Sequence, residues 1–153
     1  MVVGIISDTH GLLRPEAVQT LNGVDAIVHA GDVGRPDVLD NLKRIAPVFA
    51  VRGNVDTEAW AQELPVTTVV EVNGASFYVL HNLRELDVRP DGAKFDFVIS
   101  GHTHEAEQFE RQGVLYVNPG SAGPRRFHLP VTLALLDLTK KPWKAKIVEL
   151  RVR

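Results

Sequence analysis

The sequence contains no cysteine, which excludes disulfide bonds and thiolate metal sites. No apolar run approaches the roughly 20 residues that span a bilayer, and no basic segment of the kind that opens a signal peptide is found at the start. There is also little excess charge, because 17 basic and 19 acidic residues give a net charge of -2. We therefore expect a cytoplasmic protein that binds neither membranes nor bulk nucleic acid, with any metal held by nitrogen and oxygen ligands.

The length of the chain suits one globular domain. Its 153 residues are enough for one hydrophobic core and too few for two ordinary domains. We predict a single domain over residues 1–153.

The first half alternates apolar runs with segments that begin at proline. Three short apolar runs resemble strands buried on both faces; they are residues 2–7, 26–30 and 48–51. Pro15 precedes a predicted helix over residues 16–21, and Pro36 opens another that extends to about residue 45. This alternation predicts a parallel sheet with right-handed crossovers.

The second half is rich in strands, and we expect it to be largely antiparallel. Asn73-Gly74 is a hairpin turn signal between predicted strands 66–72 and 76–80. Further short strands are predicted at residues 97–100, 109–110, 114–117, 131–138 and 144–150. We expect an α/β domain of two packed sheets with helices outside, and an exposed edge strand would permit an oligomer.

Seven residues of metal-ligand type closely follow predicted strands. They are Asp8, His10, Asp32, Asn54, His81, His102 and His104. In open α/β sheets, ligands collect at the carboxyl ends of the strands. One such chain break is usually an ordinary turn, but five breaks with ligand-type residues are hard to explain as turns. Because carboxylate and imidazole groups suit divalent cations, the pattern predicts a two-metal hydrolase.

Two pairs of these candidates are separated by a single threonine. Asp8 and His10 flank Thr9, and His102 and His104 flank Thr103. In extended backbone, alternate side chains lie on the same face. We therefore expect Asp8 and His10 to reach one ion, with the arrangement repeated after the strand that ends at Ser100 and with both threonines facing away.

The motifs occur in a specific order along the chain. They are Asp8-x-His10, Gly31-Asp32, Gly53-Asn54, His81 and Gly101-His102-x-His104. This order resembles the calcineurin-like metallophosphoesterase superfamily, and the short length with Asn118-Pro119-Gly120-Ser121 resembles its small prokaryotic phosphodiesterase branch. The resemblance implies a four-layer αββα sandwich in which helices flank two mixed β-sheets.

The resemblance also implies a role for each ligand candidate. One metal would be held by Asp8, His10, Asp32 and His104, and a second by Asp32, Asn54, His81 and His102. Asp32 would bridge the two ions, and a hydroxide between them would attack the phosphorus of a small phosphate diester. Asp32, Asn54 and His81 would then be catalytic. We expect manganese, with iron, nickel or zinc as alternatives.

Residues outside this ligand set are candidates for supporting roles. His29 is either a hydrogen-bonding residue that orients Asp32 or a nearby loop, or a plain core histidine. Asn118 either supports a metal ligand or caps a turn. Arg125 and Asn54 are expected to bind the substrate phosphate, which a guanidinium can grip with two hydrogen bonds. Arg126 is expected to be a solvated surface residue.

Three positions depart from the family pattern. Val55 stands where many relatives have a histidine that is a candidate acid, so we expect substrates with good leaving groups. Asn82 and Leu83 stand where many have glycine and histidine, which alters the wall of the substrate site. The alternative functions are a phosphomonoesterase, and a metal-binding protein-interaction scaffold like the retromer subunit that resembles this branch.

Overall fold

The structure, a computed structural model that describes residues 1–152, consists of ten strands, two α-helices and two short 3-10 helices. The strands are β1 (Val2–Ile6), β2 (Ala26–His29), β3 (Val48–Ala50), β4 (Thr67–Val72), β5 (Ala75–Leu80), β6 (Phe97–Ile99), β7 (Glu107–Arg111), β8 (Val114–Asn118), β9 (Thr132–Asp137) and β10 (Ala145–Glu149). The helices are α1 (Pro15–Leu21), α2 (Pro36–Lys43) and the 3-10 helices Ala59–Glu63 and Leu83–Glu85.

The first sheet has the strand order β10-β9-β1-β2-β3. β1, β2 and β3 are parallel, which confirms the strand and helix alternation predicted for the first half. Both α-helices begin at the predicted prolines, where the missing backbone N–H costs nothing. Leu21 of α1 and Leu42 of α2 are fully buried in one apolar cluster with Ile6 and Ile27 on the outer face of this sheet.

The second sheet has the order β4-β5-β6-β8-β7, and its centre is parallel. β5 pairs with β6 and β6 with β8 in parallel, while only the two hairpins β4-β5 and β7-β8 are antiparallel. The expectation of a largely antiparallel second half is therefore wrong for the centre of the sheet. Turn residues mark hairpins, whereas the long crossovers have no comparable local signal. In consequence, β5, β6 and β8 end at the same edge.

The main core lies between the two sheets. Phe77 and Phe97 are fully buried there and stack with ring centroids 4.5 Å apart. Each such side chain stabilises the fold by about 1.5–3 kcal/mol through burial. The outer face of the second sheet is covered by apolar side chains of the segment 82–96, which contains the 3-10 helix Leu83–Glu85.

The layers thus run from α-helices through two mixed sheets to this covering segment. An α/β fold with two packed mixed sheets, as expected from the sequence, is confirmed. That residues 1–153 form a single domain stays a prediction. Across the described residues, every helix is too short or too polar to cross a membrane.

Candidate metal centre

The ligand candidates converge where the carboxyl edges of the two sheets meet. Asp8 and His10 follow β1, Asp32 follows β2 and Asn54 follows β3. From the second sheet, His81 follows β5, while His102 and His104 follow β6. The parallel centre of the second sheet is what directs its three histidines to the same side as the first-sheet residues.

Asp8 and His104 form a close group with His10. Asp8 Oδ1 lies 3.4 Å from His104 Nε2 and 3.8 Å from His10 Nε2, and the two imidazole nitrogens are 3.2 Å apart. The other carboxylate oxygen of Asp8 accepts hydrogen bonds from Ser7 Oγ at 2.7 Å and His102 N at 3.0 Å. These bonds fix the carboxylate so that its free oxygen faces the histidines.

Asp32 lies between His10 and His81. Its Oδ2 atom is 3.7 Å from His10 Nε2 and 3.2 Å from His81 Nε2, while its Oδ1 atom accepts a hydrogen bond from Val55 N. His81 Nδ1 lies 2.7 Å from the Ala30 carbonyl oxygen, to which it donates a hydrogen bond. His81 Nε2 is thereby turned toward the two carboxylates.

Asn54 and His102 meet at the exposed rim of the centre. Asn54 Oδ1 is 3.2 Å from His102 Nδ1, and the rings of His81 and His102 have centroids 5.2 Å apart and planes at 83° to each other. The structure thus brings all seven ligand candidates together as two adjoining groups. One group consists of Asp8, His10 and His104, and the other of Asp8, Asp32 and His81, so that Asp8 belongs to both.

The backbone that presents these ligands is left-handed, so the expectation of extended backbone at the ligand pairs is wrong. Five of the ligand candidates have positive φ values; they are Asp8 (56°), His10 (47°), Asp32 (54°), His102 (74°) and His104 (66°). The chain turns at the end of each strand, and this conformation costs on the order of 1–3 kcal/mol per residue. Backbone hydrogen bonds between the loops after β1 and β2 offset the cost, including His10 N to Asp32 O at 2.9 Å.

Gly101 is required by close packing at this edge. A Cβ atom at position 101 would collide with the Ser7 side chain and lie 2.7 Å from Asp8 Oδ2. The two sheets can therefore approach closely enough for Asp8 of one to face His104 of the other only with a glycine here.

His29 and Asn118 hold the surrounding loops rather than contacting the cluster directly. The fully buried His29 accepts a hydrogen bond from Gly31 N at Nδ1, which places its proton on Nε2, 3.0 Å from Thr9 Oγ1. Asn118 Nδ2 donates to Gly101 O at 2.9 Å and to Thr103 Oγ1 at 3.0 Å. His29 thus ties the loop that carries Asp32, and Asn118 ties the loop that carries His102 and His104.

Asp56 is a buried residue at this site that the sequence reasoning missed. Its carboxylate accepts hydrogen bonds from the backbone N–H groups of Val33, Gly34 and Gly53 at 2.8–3.1 Å. It therefore joins the loop after β2, which carries Asp32, to the loop after β3, which carries Asn54. The sequence offered only one indication of this role, namely that Asp56 is an acidic residue two positions after Asn54.

The departures from the family pattern have local explanations. Val55 is 46% exposed and contributes its backbone N–H rather than its side chain to the site. Asn82 Oδ1 accepts a hydrogen bond from Arg84 N and caps the 3-10 helix Leu83–Glu85, while Leu83 packs on the outer cluster of the second sheet. These residues shape the wall of the site.

Arg125 and Arg126 are both exposed on the loop after Ser121. Burial lowers the pKa of the His10 imidazole below its usual value, with smaller contributions that include the positive charge of Arg126. Arg126 is exposed, which agrees with the expectation of a solvated surface residue.

The ionisation states of the buried groups favour the binding of a cation. Burial alone would raise the pKa of Asp32, but contact with His81 and the Val55 N–H lower it overall. The pKa of Asp8 is likewise lowered, because contact with His104 and the charge of His81 outweigh burial. Burial would lower the pKa of His81, but Asp32 and Asp8 raise it overall. Two buried carboxylates thus remain ionised and attract positive charge.

Several observations show that divalent metal ions suit these residues. Asp8 Oδ1 and His81 Nε2 are buried without a hydrogen-bond partner, an arrangement that costs about 1–3 kcal/mol per group unless a cation is bound. The 3.2 Å separation of His10 Nε2 and His104 Nε2 is close to the roughly 3.3 Å expected between two nitrogens that share a tetrahedral zinc ion. The donors are imidazole nitrogens and carboxylate oxygens, which suit zinc, manganese, iron or nickel.

Comparison with known proteins agrees with this geometry. The family model of the calcineurin-like phosphoesterase superfamily domain matches residues 1–141. The chain belongs to this superfamily. It is 34% identical over 149 residues to a probable metallophosphoesterase of Methanothermobacter thermautotrophicus, with 88% of this chain and 85% of that protein covered. It is 29% identical over 167 residues to a phosphodiesterase of Methanocaldococcus jannaschii, with 97% and 100% covered.

The fold is also shared with solved structures of other proteins. The crystal structure of Vps29 from Chaetomium thermophilum superimposes with a TM-score of 0.76 at 20% identity, over 97% of this chain and 93% of that one. The resemblance to the calcineurin-like superfamily inferred from the motifs is thus confirmed, and the chain is a metallophosphoesterase homologue with candidate metal ligands.

Proposed function

We propose that this protein is a two-metal-dependent phosphodiesterase that hydrolyses small phosphate diesters. The observation that carries the proposal is the convergence of two ionised carboxylates and four histidines at one edge, with Asp8 Oδ1 and His81 Nε2 buried and unpaired. The similarity to a phosphodiesterase of M. jannaschii over nearly the whole chain supports the choice of reaction.

We also propose a role for each ligand, which the distances support. We assign Asp8, His10, Asp32 and His104 to one metal and Asp32, Asn54, His81 and His102 to the other. Asp8 Oδ1 lies nearest to His104, whereas Asp32 Oδ2 is the carboxylate oxygen closer to both His10 and His81. The approach of Asp32 Oδ2 to His10 and to His81 supports the bridging role that we propose for Asp32.

Bound there, two divalent cations would lower the pKa of a water molecule toward neutrality and neutralise charge on the phosphoryl oxygens. The protein residues fix the positions at which this happens. Ser7 and the His102 N–H hold Asp8, and the Val55 N–H holds Asp32, so neither carboxylate has to reorganise during the reaction.

Substrate contacts are proposed for Asn54 and for the arginine loop. Asn54 lies on the rim next to His102 and can donate a hydrogen bond to a phosphoryl oxygen. Arg125, which is exposed on the loop after Ser121, is proposed to pair with the phosphate through its guanidinium group. Val55 has no proton to give to the leaving group, so diesters with good leaving groups should react fastest.

The test is to prepare the protein without metal, add manganese, and compare kcat/KM for bis-p-nitrophenyl phosphate and p-nitrophenyl phosphate. We expect manganese-dependent cleavage with a higher kcat/KM for the diester. Preference for the monoester would favour the phosphomonoesterase alternative. If neither compound were hydrolysed with manganese, iron, nickel or zinc although ions were bound, the enzyme proposal would be wrong and a binding scaffold would explain the fold.

A further inference from the structure

A cavity of about 540 Å³ adjoins the candidate metal centre on the outer side of the second sheet. It reaches the centre at His102 and Thr103, and its far wall contains Phe109 and Tyr116. Its volume is within the range of about 300–1,000 Å³ that is usual for small-molecule sites. The cavity is therefore large enough for an organic group that is attached to a phosphate at the metal centre.

The aromatic wall is fixed in place. Phe109 and Tyr116 are paired across β7 and β8, and their rings stack with centroids 4.8 Å apart and planes only 9° from parallel. The guanidinium of Arg111 lies 5.4 Å from the centre of the Phe109 ring. Because these contacts hold the rings before any ligand arrives, little conformational entropy is lost when a flat group packs against them.

The other wall comes from the segment that departs from the family pattern. Asn82, Leu83 and Arg84 line the cavity, and the bond from Arg84 N to Asn82 Oδ1 fixes the turn there. Arg84 is the basic residue of the described lining, and Glu107 is the acidic one. The two charges offset each other, so the cavity suits a neutral group with hydrogen-bonding edges better than a second anion.

A second cavity of about 390 Å³ is lined by His102 together with Asn54 and His81. Its wall has Arg52 together with Glu85 and Asp87, and among the described residues that line it there is no phenylalanine, tyrosine or tryptophan. A flat aromatic group therefore fits the first cavity rather than the second.

We infer that the 540 Å³ cavity binds an aromatic substituent of the substrate, of the nucleobase or aryl type, with Phe109 as its packing surface and Arg84 as its polar contact. This inference depends on the proposed function, because it says where one organic substituent of the phosphate ester binds. Phe109 and Arg84 are then residues that determine specificity without taking part in the chemistry.

Binding of product-like monoesters tests the site without requiring turnover. The metal-loaded protein would be titrated calorimetrically with adenosine 5′-monophosphate and with glycerol 3-phosphate, which share the phosphate and differ in the ring. We expect the adenine compound to bind on the order of tenfold more tightly, as for one stacked base. Equal affinities in the wild-type protein would overturn the inference.

Two variants test whether the difference in affinity between the two monoesters arises in this cavity. Phe109→Leu keeps apolar volume but removes the ring, and Arg84→Ala removes the polar contact. Each should weaken binding of adenosine 5′-monophosphate by roughly three- to tenfold while leaving glycerol 3-phosphate within twofold. Phe49→Leu and Arg44→Ala, which lie outside the cavity lining, serve as matched controls and should change neither affinity.

Kinetics separate this inference from the proposed function. Variant-to-wild-type ratios of kcat/KM would be measured for bis-p-nitrophenyl phosphate and for glycerophosphoglycerol, which has no ring. The aromatic site is supported if kcat/KM falls by about tenfold for the aromatic diester alone and the fall comes from a higher KM. Equal losses for both diesters would indicate a structural role and contradict it. Absence of diester cleavage, with the difference in monoester binding retained, would refute the proposed reaction and leave the cavity assignment standing.

Discussion

Asp32 is the side chain that we propose bridges the two metal ions. One of its oxygens faces His10 and His81, and the other is held by the Val55 N–H. No other carboxylate among the described residues approaches both of these histidines as closely. A bridging role therefore predicts a larger effect for its removal than for any residue that holds one ion.

Replacement of Asp32 by alanine should abolish binding of both metals and lower kcat/KM more than 100-fold, because even indirect partners of metal ligands contribute about 10–100-fold in affinity. Metal content after desalting and diester hydrolysis with added manganese measure the two effects. Asp37→Ala, at an exposed carboxylate paired with Arg35, is the matched control and should retain both properties. Wild-type turnover by Asp32→Ala would show that the bridging assignment is wrong.

His29 is a buried neutral histidine whose ionisation is linked to folding. Burial lowers its pKa to about 4, compared with 6.5 in the unfolded chain. Between pH 6.5 and pH 4 the unfolded state binds a proton that the folded state does not, so stability falls as the pH falls through this window. The full loss from this one group is roughly 3 kcal/mol.

The corresponding experiment is urea unfolding of the metal-free protein at pH 7.5, 5.5 and 4.5. The wild-type protein should lose stability on acidification, and His29→Gln should lose less, since glutamine cannot take up the proton. Identical pH dependence of the two proteins would contradict the account of His29.

The loops at the strand ends hold the ligands through hydrogen bonds between loops. Asp56 is the clearest case, because it links the loop after β2 to the loop after β3 through three backbone N–H groups. Asn118 has the corresponding position beneath the loop after β6. Such supports explain how five ligand residues keep left-handed backbone conformations.

Asp56→Ala should destabilise the fold by about 2–5 kcal/mol, since three amide donors at a largely buried position lose their acceptor. Chemical unfolding of the metal-free protein measures this loss, and Asp40→Ala, at an exposed carboxylate of α2, is the control. We also expect weaker manganese binding by Asp56→Ala, because Asp32 and Asn54 are attached to the two loops. Unchanged stability would mean that water replaces the carboxylate at no cost.

The convergence of the ligand candidates at one edge could be predicted from the sequence, but the loop geometry could not. Asp8, Asp32 and His81 are recognisable because each follows a run of apolar residues, and this pattern is local. The left-handed conformation of Asp8 and the hydrogen bonds of Asp56 depend on contacts between loops that are distant in the chain. Patterns of single residues contain no information about such contacts.

The arrangement of the second sheet could likewise be predicted from the sequence only in part. Asn73-Gly74 correctly predicted the hairpin between β4 and β5. The parallel pairing of β5 with β6, and of β6 with β8, is set by burial between the sheets and by crossovers without turn signals. This pairing is nevertheless what places His81 and His102 at the edge shared with Asp8.

Metal binding should couple the two sheets into a more stable molecule. The ligands come from both sheets, and a preformed site exists only in the folded state, so bound ions stabilise it by mass action. The proton favoured on His81 in the metal-free protein must leave when an ion binds, so affinity should fall as the pH falls through the raised pKa of His81.

We therefore expect the Tm to rise by several degrees when manganese is added at pH 8, less at pH 6, and not at all for Asp32→Ala. Differential scanning calorimetry with and without a chelator measures the shift. An equal shift at both pH values would contradict the proton competition at His81, and a shift retained by Asp32→Ala would place the ions elsewhere.

The most direct test of the two-metal phosphodiesterase proposal is a titration of activity against metal stoichiometry. Metal-free protein would receive increasing equivalents of manganese, with hydrolysis of bis-p-nitrophenyl phosphate followed at each step. The account predicts that activity rises until two ions are bound per chain and then stays constant. A plateau at one ion per chain, or no hydrolysis at any ratio, would contradict it.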